Sequence, residues 1–220
     1  MSPTTTTATT PLKRAYVLFG ERTDRPRFLA ERFSAALSGN VLDVGCDRAV
    51  LRGFVGPERY VGIDLSPEAD VRQDLQANGR LPFEDRSFDA VVCSDVLEHL
   101  ENLHQVFDEL VRVARSRLLV SLPNNWNSAR LRLARGHGAI AHYGLPLEPP
   151  VDRHRWFFSL TEAEAFFRGQ AQRHRLEIEE LLSLEKPRPS WVRGARALVH
   201  GGVRYLNLYA HTLVCLYRRD

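Results

Sequence analysis

The chain has 220 residues, of which 44% are hydrophobic and 26% are charged, with a formal net charge of +3 and a pI of about 8.9. This composition excludes a wholly disordered chain, and the length is sufficient for one α/β domain with its own core. The basic excess is too mild and too dispersed for a nucleic-acid footprint, so we expect no nucleic-acid partner.

Several features of the sequence indicate where the protein works. No run of 18 apolar residues occurs, so no membrane-spanning helix is expected. The first residues, MSPTTTTATTP, lack the charged-then-apolar pattern of a signal peptide. The three cysteines, Cys46, Cys93 and Cys215, form no CxxC pair, which favours a reducing compartment and argues against a cysteine-based metal site. We therefore predict a cytoplasmic protein without a bound metal.

The first half of the chain alternates between strand and helix patterns. Residues 1–11 are rich in threonine and predict a disordered tail before a single domain over 12–220. A helix is predicted over 24–38, where apolar residues recur at helical spacing until a glycine. Four short apolar runs without alternation are typical of strands buried on both faces of a parallel sheet. These runs are residues 41–45, 60–64, 88–94 and 117–123.

The second half continues the pattern less regularly. A helical pattern fills 97–114, and Ser159 with Glu162 forms a capping box that begins a further helix. Residues 176–184 and 210–217 are predicted as two more strands. Strands that alternate with helices predict a doubly wound, mostly parallel, Rossmann-like α/β sheet of about seven strands.

Residues 187–208 are predicted as a helical insertion before the last strand. Within them, 191–206 carries an apolar stripe on one side and arginines on the other, interrupted at Gly201–Gly202. Such a segment can pack on the sheet, form a dimer contact or lie on an anionic membrane surface. All three possibilities remain open from the sequence, as does the oligomeric state.

Acidic residues end two of the predicted strands. The run 41–45 contains Asp43-x-Gly45, a tight turn at the carboxyl edge of the sheet, where open α/β sheets bind ligands. Asp64 ends the next strand, where a carboxylate can accept hydrogen bonds from both hydroxyls of a ribose. As alternatives, Asp43 could cap the turn and Asp64 could form an Asx turn before Ser66.

The blocks VLDVGC, YVGIDLS and LPFEDRSFDAVVCSDVLEHL resemble the class I S-adenosylmethionine-dependent methyltransferases, in the type 11 methyltransferase-domain group. The resemblance runs from about residue 41 to residue 124. It implies S-adenosylmethionine as the cofactor and an antiparallel strand at the edge of the sheet. Amino-methylating nucleic-acid enzymes of this fold carry D/N-P-P-Y where this chain has Cys93–Ser94–Asp95, which argues against a DNA base methyltransferase.

The resemblance also assigns cofactor-binding residues. The implied set is Asp43, Gly45 and Cys46 around the methionine part, Asp64 on the ribose, Leu65, Asp74 and Leu75 around the adenine, and Cys93 and Ser94 beneath the sulfonium. The family loop usually reads D-x-G-x-G-x-G, but Asp47 and Ala49 replace the second and third glycines here. Glycine there allows positive φ and a close approach to ligand, so the alternative is a relative that no longer catalyses.

Methyl transfer is an in-line displacement at a sulfonium carbon, in which the protein mainly positions the acceptor. A hydroxyl acceptor must also lose its proton, and histidine is the usual base near neutral pH. His154 and His99 are therefore the catalytic candidates, with a structural histidine as the alternative for each. His137 and His142 are interpreted as loop residues.

Residues 124–158 are predicted to cover the acceptor site. An aromatic and cationic lining would suit a carbohydrate, an anionic metabolite or a phosphorylated head group, although an exposed loop without a ligand is the alternative. The candidate substrate-binding residues are Asn124, Trp126, Tyr143, Arg155 and Trp156. The predicted function is methyl transfer from S-adenosylmethionine to oxygen of a small molecule or glycan, with N-methylation of a small amine as the alternative.

Overall fold

One eight-stranded sheet organises the chain in a computed structural model that describes residues 10–150 and 152–219. The strands are β1 (Leu12–Tyr16), β2 (Val41–Val44), β3 (Tyr60–Asp64), β4 (Val71–Arg72), β5 (Phe88–Ser94), β6 (Ala114–Pro123), β7 (Glu177–Glu185) and β8 (Ala210–Arg218). The α-helices are α1 (Asp24–Arg32), α2 (Arg52–Val55), α3 (Leu103–Val113), α4 (Asn125–Arg135), α5 (Leu160–His174), α6 (Ser190–Val199) and α7 (Gly202–Tyr209). Two 3₁₀ turns cover Pro57–Arg59 and Leu97–His99.

The strand order is β1-β7-β8-β6-β5-β2-β3-β4, and only β8 runs antiparallel to its neighbours. This confirms the predicted mostly parallel, Rossmann-like α/β fold. The antiparallel strand lies in the outer half of the sheet, where β7 and β1 continue beyond it. The order changes direction between β2 and β5, which makes that gap the topological switch point.

The sheet is buried on both faces. Successive residues of one strand enter different cores, so Val41 packs in the core beside α1 and Leu42 packs in the core beside α3 and α5. Both residues have 0% exposure. This double burial explains why the strand sequences read as continuous apolar runs rather than alternating ones.

Several boundaries differ from the sequence predictions. The helix predicted over 24–38 ends as α1 at Arg32 and continues as turns, and the 97–114 pattern divides into the Leu97–His99 turn and α3. The short strands β1 and β4 and the helix α4 were not predicted. β1 lies at the edge of the sheet, and its polar sequence LKRAY does not predict a strand. Its extended conformation is stabilised by pairing with β7. The capping box of Ser159 and Glu162 is confirmed at the start of α5.

The predicted tail mostly lies outside the described residues, which begin at Thr10. The Thr10 hydroxyl donates to the Ile178 carbonyl at 2.7 Å, so the chain joins the sheet just before β1.

The α6 helix presents its apolar side to solvent. Trp191 is 74% exposed and Leu198 is 90% exposed, and no residue of α6 is buried. The arginines face the protein instead, because Arg193 stacks over the Tyr16 ring and Arg196 over the Tyr209 ring, at 4.0 and 4.3 Å. Packing of this stripe on the sheet is thus not observed. Contact with a membrane or a second chain stays a prediction. Within the described residues no helix is both long enough and apolar enough to span a bilayer.

Because the apolar side of α6 is exposed and its arginines face the protein, two substitutions in α6 should differ in their effect on the free energy of unfolding. Leu198→Glu should change the free energy of unfolding by no more than about 0.5 kcal/mol, because the side chain is exposed. Arg196→Ala should cost about 1–3 kcal/mol, because the guanidinium lies 3.8 Å from the buried Glu185 carboxylate. Chemical denaturation of both variants measures this, and a larger loss for Leu198→Glu would contradict the observed orientation of the helix.

Candidate functional site

The carboxyl ends of β3, β2 and β5 meet at one edge of the sheet. β2 lies between the other two, and its Asp43 is in register with Gly62 of β3 and Val92 of β5. Asp64 ends β3 and Ser94 ends β5. The structure therefore brings the predicted methionine, ribose and sulfonium contacts together beside the switch point.

The loop after β2 keeps the backbone shape that glycine favours, although two of its expected glycines are replaced. The φ angles are +77° at Gly45, +46° at Asp47 and +51° at Ala49. A side chain at Gly45 would be impossible, because a Cβ there would lie 2.2 Å from Val96 Cγ2. Left-handed conformations cost an ordinary residue about 1–2 kcal/mol each, so the fold maintains this loop shape at a cost.

Local bonds hold the two replaced positions in place. The Asp47 backbone N–H donates to Asp64 Oδ2 at 3.0 Å, and the Asp47 carboxylate pairs with Arg22, also at 3.0 Å. The Ala49 N–H donates to the Cys46 carbonyl at 2.8 Å. The loop after β2 is thereby tied to the end of β3.

Asp43 is a buried carboxyl at the centre of this edge. Its exposure is 8%, and the Tyr60 hydroxyl donates to it at 2.7 Å. Burial raises the pKa of Asp43 to about 6, against the opposing effect of the Tyr60 hydrogen bond, and the nearby Asp64 charge raises it further. An anionic buried group at neutral pH is costly for folding, which is typical of a binding site.

Asp64 already accepts two backbone hydrogen bonds. Its Oδ1 accepts from the Ser66 N–H at 2.9 Å, and its Oδ2 accepts from the Asp47 N–H. The Asx turn is therefore present, yet each carboxylate oxygen retains a further lone pair that can accept a hydroxyl. Leu65 beside it is 60% exposed, so an apolar surface is available for an adenine ring.

The other implied adenine contacts differ in accessibility. Asp74 is exposed, and its Oδ1 accepts from the N–H groups of Gln76 and Ala77. Leu75 is 7% exposed and packs in the core beside α3. Asp74 can thus reach a ligand, whereas Leu75 mainly supports the loop from below.

The two site cysteines are buried thiols. Burial raises the pKa of Cys46 to about 12, and burial raises the pKa of Cys93 well above its usual value. Both therefore stay protonated, and neither is suited to act as a nucleophile. Ser94 follows Cys93, and its hydroxyl lies 2.8 Å from the Ser121 hydroxyl of β6.

Three histidines, His99, His142 and His154, form a histidine cluster beyond the end of β5. The His99 and His154 ring centroids are 4.5 Å apart, and His142 stacks on His154 at 4.3 Å. Asp152 lies between two of them, 3.0 Å from His99 Nδ1 and 3.3 Å from His142 Nδ1. The two predicted catalytic histidines are thus brought together, and His142 joins them instead of lying apart in its loop.

Burial and charge set the electrostatics of this cluster. Burial, with the charges of His99 and His142, lowers the pKa of His154 to about 4. Glu98 is 1% exposed, and its burial, together with the nearby Asp95 carboxylate, raises its pKa well above the usual range. The His154 imidazole is therefore neutral at pH 7.

The predicted substrate residues separate into two groups. Tyr143, Arg155 and Trp156 line an open cleft of about 580 Å³ together with Arg153 and His154, and we call these five residues the acceptor cleft. Trp126 lies outside this lining on α4 and is 45% exposed.

Asn124 has a structural role in this fold. It is 2% exposed, and its side-chain amide donates to the carbonyls of Asn207 and Ala210 at 2.8 and 2.7 Å. Its Oδ1 caps α4 by accepting from the Asn127 N–H. These bonds attach α4 to the end of α7, so Asn124 shapes the site without facing the acceptor cleft.

Sequence reasoning missed three members of the site. Glu98 lies in the E-H-L signature beside His99, Asp152 is two residues before His154, and Asn125 Nδ2 lies 3.2 Å from His154 Nδ1. Proximity in sequence to a candidate histidine was a signal for Glu98 and Asp152, whereas Asn125 lies next to the candidate Asn124 and far from any candidate histidine. The expectation of no metal considered cysteine pairs alone, and it did not weigh a carboxylate beside histidines.

Comparisons with known proteins agree with this geometry. Residues 42–119, which include β2, β3 and β5, match the family model described as "Methyltransferase domain". No curated protein matches the chain. Over residues 42–119 the chain is similar to this family, and S-adenosylmethionine-dependent methyl transfer is the activity that the match supports, as the sequence predicts.

Solved structures share the fold at low sequence identity. The structure of the small RNA methyltransferase HEN1 is 15% identical in sequence, with a TM-score of 0.60. The match covers 96% of this chain but only 27% of the HEN1 chain. A SAM-dependent methyltransferase from Archaeoglobus fulgidus is 16% identical with a TM-score of 0.57, covering 91% of this chain and 95% of its own. Magnesium protoporphyrin IX methyltransferase (ChlM) from Synechocystis PCC 6803, with bound SAH, is 17% identical, with a TM-score of 0.55. The match covers 90% of this chain and 83% of the ChlM chain.

The buried charge of Asp43 predicts a pH-dependent stability. Because the folded-state pKa of about 6 exceeds the ordinary value of 3.8, the native state holds the proton more tightly than the unfolded state. Stability from this group should therefore fall as pH rises from about 4 to about 6, by up to about 3 kcal/mol. Asp43→Asn should be more stable than wild type at pH 8 and lose this advantage near pH 4.

Urea denaturation at several pH values measures this difference. Glu84→Gln is the matched control, because it removes the charge of an exposed carboxylate. Parallel pH profiles for wild type and Asp43→Asn would contradict the raised pKa.

The left-handed backbone at Ala49 predicts a size limit at that position. Ala49→Gly should leave the unfolding free energy within about 1 kcal/mol, because relief of φ strain offsets the lost buried methyl group. Ala49→Val should cost at least about 2 kcal/mol, because a branched side chain resists positive φ in a buried loop. Thermal denaturation distinguishes the two variants, and equal stability would show that the loop relaxes.

Proposed function

We propose that this methyltransferase transfers its methyl group to a hydroxyl oxygen of a small molecule or glycan. The observation that carries the proposal is the histidine cluster, which lies just beyond the predicted sulfonium contacts at the end of β5. An amine acceptor can attack from its neutral form, whereas a hydroxyl needs its proton removed. Three imidazoles and a carboxylate at this position favour the hydroxyl.

The residues at the edge of the sheet fit the cofactor. A buried carboxyl at Asp43 suits a cationic ligand, the left-handed loop from Gly45 to Ala49 allows a close approach, and Asp64 retains acceptor capacity. S-adenosylmethionine supplies an electrophilic methyl group on a good leaving group. The loop after β2 would hold the methionine part and Asp64 the ribose, which leaves the residues beyond β5 to position the acceptor.

The acceptor cleft supports a small polar substrate. Its volume of about 580 Å³ lies in the range of small-molecule sites. The indole N–H of Trp156 donates to the Leu100 carbonyl at 2.7 Å, which fixes the ring as a platform for a sugar face. Arg155 is paired with Glu101 at 3.4 Å, and this exposed pair can open toward an anionic group.

A single labelling experiment tests the acceptor proposal. The protein is incubated with methyl-labelled S-adenosylmethionine and, in parallel, a polyhydroxylated glycoside, a phenol, a primary amine and a short RNA. RNA is included because HEN1 is a small RNA methyltransferase and because Trp156 beside arginines also suits a nucleotide. A methyl ether on the glycoside or phenol is the expected product. Label on the amine alone would favour N-methylation instead.

The ribose role of Asp64 predicts a loss of cofactor affinity on substitution. Asp64→Ala should weaken binding of S-adenosylhomocysteine by at least about tenfold, because two charge-assisted hydrogen bonds are lost. Calorimetry measures the affinity, circular dichroism checks the fold, and Glu68→Ala on the same loop is the control. Near-wild-type affinity would refute the ribose role. If the wild-type chain bound neither form of the cofactor, the fold would be a scaffold rather than a catalyst.

A further inference from the structure

We propose that Glu98, His99 and His154, the metal-binding triad, hold one divalent transition-metal ion. Each residue offers a ligand atom, and these three atoms lie within 4.8 Å of one another. Metal–ligand bonds of 2.0–2.2 Å place the ligand atoms of one ion about 3–4 Å apart. The three atoms therefore need only small side-chain movements to bind one ion. The triad joins the turn after β5 to the segment before α5.

Glu98 is the strongest evidence for a missing cation. The residue is 1% exposed, and its Oε2 has no hydrogen-bond partner within the part of the chain that the structure describes. Its Oε1 lies 3.7 Å from His99 Nε2. A buried carboxylate oxygen without a partner is costly, and a bound cation would supply the missing interaction.

The surroundings orient His99 as a metal ligand. Its Nδ1 lies 3.0 Å from Asp152 Oδ1, so Nδ1–H can donate to that carboxylate and leave the lone pair on Nε2. Nε2 is the nitrogen that faces Glu98. A carboxylate that fixes the tautomer of a metal-bound histidine is the common outer-shell arrangement in metalloproteins.

His154 can adopt the matching tautomer. Its Nδ1 lies 3.2 Å from the Tyr143 hydroxyl oxygen, and that hydroxyl donates its proton to the Trp156 carbonyl. The phenol oxygen can therefore accept from His154 Nδ1–H, provided that Asn125 Nδ2, which also lies 3.2 Å from Nδ1, donates elsewhere. This tautomer leaves Nε2 free to bind a metal. Tyr143 and Trp156 of the acceptor cleft thus orient His154 as one of the three metal ligands.

The ligand set selects the class of ion. One carboxylate oxygen and two imidazole nitrogens suit Zn²⁺, Mn²⁺, Co²⁺ or Fe²⁺ better than Mg²⁺ or Ca²⁺, which prefer oxygen ligands only. Three protein ligands leave coordination positions open, as in catalytic rather than structural metal sites. Glu98 and Asp152 together balance the charge of one divalent ion.

The role of the ion rests on the proposed hydroxyl methylation. With the ion bound, His99 and His154 would be ligands rather than bases, and the ion would activate the hydroxyl in their place. An acceptor hydroxyl at an open coordination position would release its proton to water more easily, because a bound cation stabilises the resulting oxyanion. The oxygen then forms the new O–CH₃ bond while the S–CH₃ bond breaks, and the electron pair of that bond stays on sulfur. No oxidant or reductant is needed.

Metal titration of the whole chain tests the site without relying on catalysis. The protein is treated with EDTA, dialysed and titrated with Co²⁺, whose visible absorption reports bound nitrogen and oxygen ligands, and with Zn²⁺ by calorimetry. We expect one ion per chain. Glu98→Gln and His154→Ala should each weaken binding at least about tenfold, and Asp152→Asn should weaken it about tenfold as an outer-shell change. His137→Ala is the control, because this exposed histidine lies outside the triad.

Cofactor affinity provides the check on folding, since the implied cofactor residues lie on other elements. If Glu98→Gln binds S-adenosylhomocysteine like wild type but loses the metal, the site is supported. If wild type binds no metal, or Glu98→Gln binds it as tightly, the site is overturned and the triad only shares a proton.

Metal binding and hydroxyl methylation can fail separately. Stoichiometric metal binding without a methyl ether product would uphold the site and refute the proposed acceptor. A methyl ether formed equally well after EDTA treatment, by protein that binds no metal, would uphold the proposed function and refute the site.

Discussion

The parallel register of β2 between β3 and β5 is the constraint on which the rest of the site depends. Because these strands point the same way, their carboxyl ends share one edge, and Asp43, Asp64 and Ser94 meet there although the chain separates them widely. The switch in strand order between β2 and β5 opens the crevice at that edge. A helix packed against either face could change without disturbing this arrangement, whereas a register shift would disperse it.

Two buried carboxyls show where the fold gives up stability for binding. Asp43 and Glu98 are 8% and 1% exposed, and within residues 10–150 and 152–219 neither forms an ion pair with an arginine or a lysine, which a buried charge requires for stability alone. Both lie at the carboxyl edge of the sheet, Asp43 in β2 and Glu98 in the turn after β5. The left-handed residues Asp47 and Ala49 add local strain at the same edge. When several features that lower folding stability lie at one place in a well-packed fold, they indicate a ligand-binding surface.

The C-terminal part of the chain holds the acceptor side in place. Asn124 ties the start of α4 to the junction of α7 and β8, and β8 pairs along β6 up to Pro123. The Arg155 N–H donates to the Glu98 carbonyl at 2.7 Å, which fixes the segment before α5 over the turn after β5. The segment that lines the acceptor cleft is therefore attached to the turn after β5, which is distant from it in sequence.

Local sequence patterns were sufficient to predict the α/β class, the six strands other than β1 and β4, and the carboxylates at the strand ends, because burial on both faces and strand-end turns leave such patterns. Local pattern did not reveal β1, whose stability comes from pairing with β7. It also left open which side of α6 faces the protein, because this is set by the cation–π contacts of Arg193 and Arg196, which orient the basic side inward.

Long-range packing determines which histidines lie together. His99 and His154 are far apart along the chain, and nothing in the spacing of His142 indicates that it stacks on His154 at 4.3 Å. The same is true of Asn124, which looked available to a substrate and is instead used in internal hydrogen bonds. Long-range packing sets these contacts, and a sequence encodes them only through the whole fold.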